Sequence, residues 1–158
     1  MFEIDLRIRI DGRGSMPENW IGQRYKSHQK RIADEEQKKT WQTNAQRTYP
    51  SMFERLQQRV EADVNENNRL FENKLKFHSD GDGFLVTDKN GLTAEVARAL
   101  PGTVIQIERF VEGKKVADHI DVIPDDKGNI RYRHNGKILD DVSDASEIII
   151  GKLIPEQF

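Results

Sequence analysis

The stretch SMFERLQQRVEADVNENNRLFENKL, residues 51–75, has the most regular spacing of apolar residues in the chain. The recurring positions, separated by 3, 4, 4, 3, 4 and 4 residues, are Phe53, Leu56, Val60, Val64, Asn67, Phe71 and Leu75. This spacing places them on one face of an α-helix. It repeats at about 3.67 residues per turn, so the face runs nearly straight along the helix axis. We call these positions the seam and predict that they form a packing surface.

A second helix is predicted before the seam, because no glycine occurs from residue 23 to residue 80. Pro50 disfavours helical geometry at Tyr49, and Ser51 can cap a new helix after it. We therefore predict a helical hairpin over residues 17–78, broken at this proline.

Residues 1–16 are predicted to form a strand and a turn. Apolar and charged residues alternate strictly from Phe2 to Ile10, which is the pattern of a half-buried strand. Pro17 suits the first turn of the helix that follows, with Asp11 or Ser15 as its cap.

Residues 79–158 have the short alternating runs and turn residues of an antiparallel sheet. The turn EGKK joins two predicted strands, and the pair Asn135-Gly136 predicts a tight hairpin between NIRYRH and KILDD. The segment TAEVARAL is predicted to be a short helix because alanine, glutamate and arginine favour helix over strand. The segment EIIIGKLI is predicted to be the last strand.

The register of the second hairpin follows from its loop. With a two-residue turn, Tyr132 lies opposite Leu139 and Arg131 lies opposite Asp140. The first would be a packed pair and the second an ion pair.

These elements predict one α+β domain over residues 1–158. An N-terminal strand joins a mainly antiparallel C-terminal sheet with one short helix, and a long helical hairpin lies across the sheet or projects from it. A chain of 158 residues with 35% hydrophobic and 33% charged content suits one domain with a modest core.

Composition excludes several classes of function. The chain has no cysteine, which excludes disulfides, thiol nucleophiles and thiolate zinc sites. The alternating N-terminus lacks the unbroken apolar run of a signal peptide, so we predict a cytoplasmic protein. No window is apolar enough for a membrane span, so no membrane partner is expected.

The stretch SDGDGFLVTDKNG, residues 79–91, raises the question of a cation site. A calcium loop needs oxygen ligands at positions 1, 3 and 5, glycine at 6 and glutamate at 12. Starting the loop at Asp80 puts Phe84 at position 5, and starting it at Asp88 puts Leu92 there. We therefore interpret these residues as turns.

Candidate catalytic chemistry is sparse. The four histidines show no metal-binding spacing, and no nucleotide-binding or serine-hydrolase motif occurs, so no metal or cofactor is predicted. The best cluster would present two imidazoles and two guanidinium groups from neighbouring strands, as a small phosphodiesterase-like enzyme would require. Its members are His119, Arg131, Arg133 and His134.

A non-enzymatic protein-interaction or assembly module is the favoured function. The straight seam, with Asn67 as a possible determinant of register, and the weak apolar character of the first helix suggest that another chain completes the packing, most simply a second copy. Aromatic side chains are the usual anchors of such contacts. The predicted interaction residues are Trp20, Tyr25, Trp41, Phe53, Val60, Val64, Asn67 and Phe71. An ordinary hairpin packed on its own sheet is the alternative.

Nucleic-acid binding is the second functional hypothesis. The segment RYKSHQKR, residues 24–31, has no acidic residue and is flanked by Trp20. Its cations could bind phosphates while the aromatic side chains stack on bases. The predicted contacts are Arg24, Lys26, Lys30 and Arg31. They surround the helix instead of forming one patch, and the net charge of -2 lacks the basic excess usual for such proteins.

Overall fold

The computed structural model describes residues 19–154 and has an α+β fold. A long helix precedes an antiparallel sheet of seven strands, and a short helix follows the sheet. The elements are α1 (Trp20–Leu70), β1 (Leu75–Ser79), β2 (Gly83–Asp88), β3 (Thr93–Leu100), β4 (Val104–Val111), β5 (Lys114–Pro124), β6 (Ile130–His134), β7 (Lys137–Ile138), α2 (Val142–Ile150) and a 3-10 turn (Gly151–Leu153). The predicted α+β class is confirmed at this level.

The chain divides into two structural units, with the boundary between Thr40 and Trp41, inside α1. The predicted strand Phe2–Ile10, with its turn and cap residues, lies outside the described residues. The single-domain organisation stays a prediction.

The sheet is a meander in which every strand pairs with its neighbour in sequence. Its strands supply one side of a core, and the seam of α1 with the buried face of α2 supplies the other. Phe53 of α1 and Phe84 of β2 lie in this core, with ring centroids 5.8 Å apart. The seam therefore packs on the protein's own sheet.

The predicted hairpin is absent: α1 is one continuous helix through Pro50. A proline in a helix interior costs about 3 kcal/mol. Packing on both sides of Pro50 outweighs this cost. The Tyr49 hydroxyl donates to the carbonyl of Val104 at 2.6 Å, and the Tyr132 hydroxyl donates to the carbonyl of Met52 at 2.6 Å. Burial raises the pKa of Tyr132 to about 12, which keeps this hydroxyl a donor.

The end of α1 also differs from the prediction, because the helix ends at Leu70 and Leu75 begins β1. Asn68 explains the change of direction. Its side chain accepts from the backbone N–H of Leu75 at 2.7 Å and donates to the Leu75 carbonyl at 2.8 Å, as a paired strand would. Leu75 is thus a core residue of the sheet and not part of the helical seam.

The segment TAEVARAL is strand β3 and not a helix. Glu95 and Ala97 are fully buried, and the alternation of burial is that of a strand. The neighbouring strand β2 lies very close, because a Cβ on Gly83 would be 2.1 Å from the carbonyl oxygen of Ala97, so β2 requires glycine at that position. Packing therefore overrides helix propensity.

The segment EIIIGKLI forms the end of α2 and the 3-10 turn, and not a strand. Asp141 caps α2 by accepting from the backbone N–H groups of Ser143 and Asp144, and the Asp144 carboxylate accepts from the Asp141 N–H in return. This capping box starts a helix whose buried residues are spaced at helical intervals: Ala145, Ser146, Ile149 and Ile150.

The turns are largely as predicted. Asn135 and Gly136 have positive φ values of 50° and 79°, as a type I′ hairpin requires. The Leu139 N–H donates to the Tyr132 carbonyl at 2.9 Å, which confirms the register. The predicted ion pair is wrong, because the Arg131 guanidinium pairs with Asp125 at 3.4 Å.

The aspartates of residues 79–91 make turns, as predicted. The Asp80 carboxylate accepts from the Gly83 N–H at 3.1 Å in the β1–β2 turn. The Asp88 carboxylate accepts from the Leu92 N–H at 2.9 Å in the β2–β3 turn. No group of three potential metal ligands is found among residues 19–154.

Candidate interaction surface

An exposed apolar stripe runs along the first part of α1. Its four residues, separated by 4, 3 and 4 positions, are Ile21, Tyr25, His28 and Ile32. At 100° per residue they lie within about 60° of one another around the helix axis. Ile21 is 58% exposed, Tyr25 64% and Ile32 38%. These four residues are called the stripe.

Charged residues flank the stripe in two blocks. The predicted nucleic-acid contacts Arg24, Lys26, Lys30 and Arg31 are all exposed. Three acidic residues follow immediately at positions 34–36 and are exposed as well. The helix is therefore basic around most of the stripe's length, and an acidic block follows.

Local contacts order several of these side chains. The Arg24 guanidinium lies 5.0 Å from the centroid of the Trp20 ring, a cation–π contact. Arg31 Nη2 lies 2.8 Å from His28 Nδ1. Arg24 and Arg31 lie on one side of the stripe, whereas Lys26 and Lys30 lie on the opposite side of the helix.

The predicted seam residues lie in the chain's own core. Phe53, Val60, Val64 and Asn67 are buried, and Phe71 is half-buried at the end of α1. Buried side chains are not accessible to a second chain. Of the predicted interaction residues, Trp20 and Tyr25 are the exposed ones.

Trp41 packs inside its own structural unit. It is half-buried against the β5–β6 loop, where a Cβ on Gly128 would lie 2.6 Å from the indole nitrogen. Gly128 has a φ of +84°, so this loop depends on glycine both for its backbone and for the close approach of Trp41.

The predicted histidine and arginine cluster is divided between the two faces of the sheet. Asp121 pairs with Arg133 across β5 and β6, with Arg133 Nη2 2.9 Å from its carboxylate and His119 Nε2 3.8 Å from it. Register places His134 on the other face, where its Nε2 lies 2.8 Å from Asp118 Oδ2. The two imidazoles therefore do not face one substrate.

Two polar pairs lie on the helix-facing side of the sheet, one largely buried and one partly exposed. The fully buried carboxylate of Glu95 pairs with Arg109, whose guanidinium also donates to the carbonyl of Ile148 in α2. Burial raises the pKa of Glu95, although Arg109 acts in the opposite direction. Partial burial acts to raise the pKa of Asp118, but the hydrogen bonds from His134 and from the His119 N–H, together with the charge interaction with the two imidazoles, outweigh it and the pKa is lowered.

Sequence reasoning missed the Glu95–Arg109 pair because β3 was taken for a helix. Thr93, Glu95 and Ala97 alternate with Ala94 and Val96, and reading that alternation as a strand would have placed Glu95 on the face of Ala97.

No protein-family model, curated protein or solved structure matches this chain. Among residues 19–154, no helix combines the length and the apolar character that crossing a bilayer requires.

Proposed function

We propose that this protein is a non-enzymatic assembly module that associates with a second copy of itself through the stripe. The observation that carries the proposal is the exposure of Ile21, Tyr25 and Ile32 at the spacing of a coiled coil. Burying these side chains against another helix would remove apolar surface from water. The originally predicted seam is buried, so the proposed contact lies in the first part of α1 instead.

The stripe spacing supports a parallel, in-register pair of helices. Intervals of 4, 3 and 4 assign Ile21 and His28 to d positions and Tyr25 and Ile32 to a positions of a heptad. In such a pair each stripe residue meets its own counterpart. The apolar seam ends where Glu35 occupies the next d position.

Charge complementarity supports the same arrangement. In this heptad Arg31 is at a g position and Glu36 is at the following e position. Residues at g contact the following e of the partner helix in a parallel coiled coil. Each Arg31 would therefore face Glu36 of the second copy, giving two symmetric ion pairs beside the apolar contact.

Light scattering after size-exclusion chromatography, over a range of protein concentrations, tests the proposal. The chain mass is 18.3 kDa, and the expected result is a concentration-dependent mass approaching twice that value. Ile21→Asp with Ile32→Asp should give a monomer at every concentration. A wild-type protein that stays monomeric throughout would contradict self-association.

A charge-swap series tests the predicted pairing. Arg31→Glu should weaken the dimer because it places two acidic groups opposite each other. Adding Glu36→Arg should restore the dimer, because the ion pair is formed again with reversed polarity. Lys30→Glu is the matched control, since Lys30 is at the outer f position. Failure of the double variant to recover the dimer would exclude the parallel register.

Nucleic-acid binding remains the second candidate, favoured by the exposed cations beside exposed Trp20 and Tyr25. Absorbance at two wavelengths in the same chromatography run reports nucleic acid that co-purifies. If nucleic acid co-purifies, the double variant Arg24→Glu, Lys30→Glu should no longer retain it. The double variant Arg31→Glu, Glu36→Arg separates self-association from nucleic-acid binding. It keeps the net charge of the wild-type protein and should restore the dimer, but it does not restore the cation at position 31.

A further inference from the structure

A cleft of about 930 Å³ lies between the last turns of α1 and the α2 and 3-10 segment. Three acidic residues line it, namely Asp63, Glu66 and Glu147, with Lys152 as an opposing cation. Apolar side chains, including Leu70, Phe71 and Ile150, complete the wall. This volume is in the range of small-molecule sites, which combine apolar walls with a few polar groups.

Asn67 gives the cleft an unpaired acceptor. It lines the cleft, is only 3% exposed, and its Nδ2 donates to the Asn73 carbonyl at 2.9 Å and to Asn68 Oδ1 at 3.2 Å. These two bonds fix the orientation of the amide. Oδ1 is left buried without a hydrogen-bond partner among the described residues. Such an acceptor is stabilised by any donor that reaches it.

The three carboxylates differ in how far they are already neutralised. Asp63 accepts from the Ser146 hydroxyl at 2.7 Å and pairs with Arg59 at 3.2 Å. Glu66 pairs with Arg69, and this hydrogen bond lowers the pKa of Glu66. Glu147 is exposed, and no ion-pair partner for it is found among residues 19–154. Glu147 thus provides the least compensated negative charge in the cleft.

We propose that this cleft binds an organic cation with a primary ammonium group on an apolar body. The ammonium group would lie between Glu147 and Asn67 Oδ1, and its body would contact Phe71 and Ile150. An ammonium group donates in three directions, which suits separate single acceptors, whereas a guanidinium group suits a planar pair. Asn67 Oδ1 is closed to solvent, so the wall of the cleft must open for the donor to reach it. This inference is independent of the proposed self-association.

The test is a titration of the full-length protein, followed by amide chemical shifts, with three probes. 2-Phenylethylammonium is the predicted ligand type, 2-phenylethanol is its neutral analogue, and calcium chloride tests for a metal site instead. The ammonium probe is expected to shift residues 63–71 and 147–154 and to bind at least about tenfold more tightly than the alcohol. Equal affinity of the two organic probes, shifts with calcium alone, or no saturable shift would overturn the proposal.

Matched variants test which carboxylate matters. Glu147→Gln is expected to weaken binding of the ammonium probe by about threefold or more. Glu61→Gln is the control, because Glu61 is an exposed carboxylate of α1 that does not line the cleft. Equal effects of the two substitutions would contradict recognition by Glu147. Both residues are exposed, so neither change should compromise folding.

Discussion

Two parts of α1 have the same helical conformation but different surroundings. From residue 20 to residue 40 every side chain is exposed, and only Gly22 is partly covered. From Ala45 to Asn67 the helix has seven buried residues. The first part depends on helix propensity and local contacts, whereas the second depends on burial against the sheet. A helix can therefore be continuous in structure without being uniform in stability.

The largest expected difference between the two parts of α1 is in the loss of unfolding free energy when an apolar side chain is truncated. Leu56 is fully buried, so Leu56→Ala should lower the free energy of unfolding by about 2–5 kcal/mol. Ile32→Ala, in the part exposed in the monomer, should change it by less than about 0.5 kcal/mol when measured at concentrations low enough to keep the protein monomeric. Urea denaturation measures both. Similar losses for the two variants would mean that the first part is also buried in the native protein.

A proline introduced into the exposed part of α1 should have an effect that Pro50 does not have in the buried part. Pro50 is tolerated because packing holds Tyr49 before it and Met52 after it. In contrast, Ala33 has no buried neighbour within residues 20–40. Ala33→Pro should remove helical circular dichroism from the first part, since it costs about 3 kcal/mol in a helix interior. The cooperative unfolding midpoint of the monomeric protein should stay unchanged. Ala33→Gln is the control and should preserve the helical signal.

A smaller effect is expected at the contact between the two helices. The buried Ser146 hydroxyl donates to Asp63, so Ser146→Ala should cost about 1 kcal/mol of unfolding free energy. Ser27→Ala, in the exposed part of α1, should leave that free energy unchanged. Denaturant unfolding of both variants provides the comparison, and equal stability of the two would show that the hydroxyl contributes nothing.

The smallest effect concerns acid stability. The folded protein lowers the pKa of Asp118 below its ordinary value of 3.8. Its contribution is therefore fully present above that value and is lost as the pH falls through the lowered pKa. Between about pH 6 and about pH 3, wild type should lose up to about 1 kcal/mol more stability than Asp118→Asn. Asp34→Asn, in the exposed part, should lose as much as wild type.

The sequence predicted local features better than long-range ones. Asn135-Gly136 identified a hairpin and its register because the turn requires positive φ at both residues. Pro50 led to a wrong prediction of a helix break. Its local preference against helix is clear, but the packing that opposes this preference comes from Val104 and later residues, at least 54 positions further along the chain. The Ile148–Ile150 run suits a strand by composition, and only the Asp141–Asp144 capping box indicates a helix.

The candidate surfaces were only partly predictable for the same reason. Helical spacing identified the seam, but spacing does not reveal which face of a helix the protein covers itself. Glu147 and Asn67 are 80 positions apart in sequence and meet only because α2 packs beside the end of α1. No local pattern in either segment indicates such a cleft.

The meander order has a consequence for folding kinetics. Each strand pairs with its neighbour across a short turn, so successive hairpins close small loops and form on a timescale of about microseconds. The bonds that fasten α1 span far more chain: the Tyr132 hydroxyl and the Met52 carbonyl are separated by 80 residues, and Ser146 and Asp63 by 83. Closing those long loops costs more chain entropy. We therefore expect the sheet to assemble strand by strand and the long helix to dock last, in the rate-limiting step.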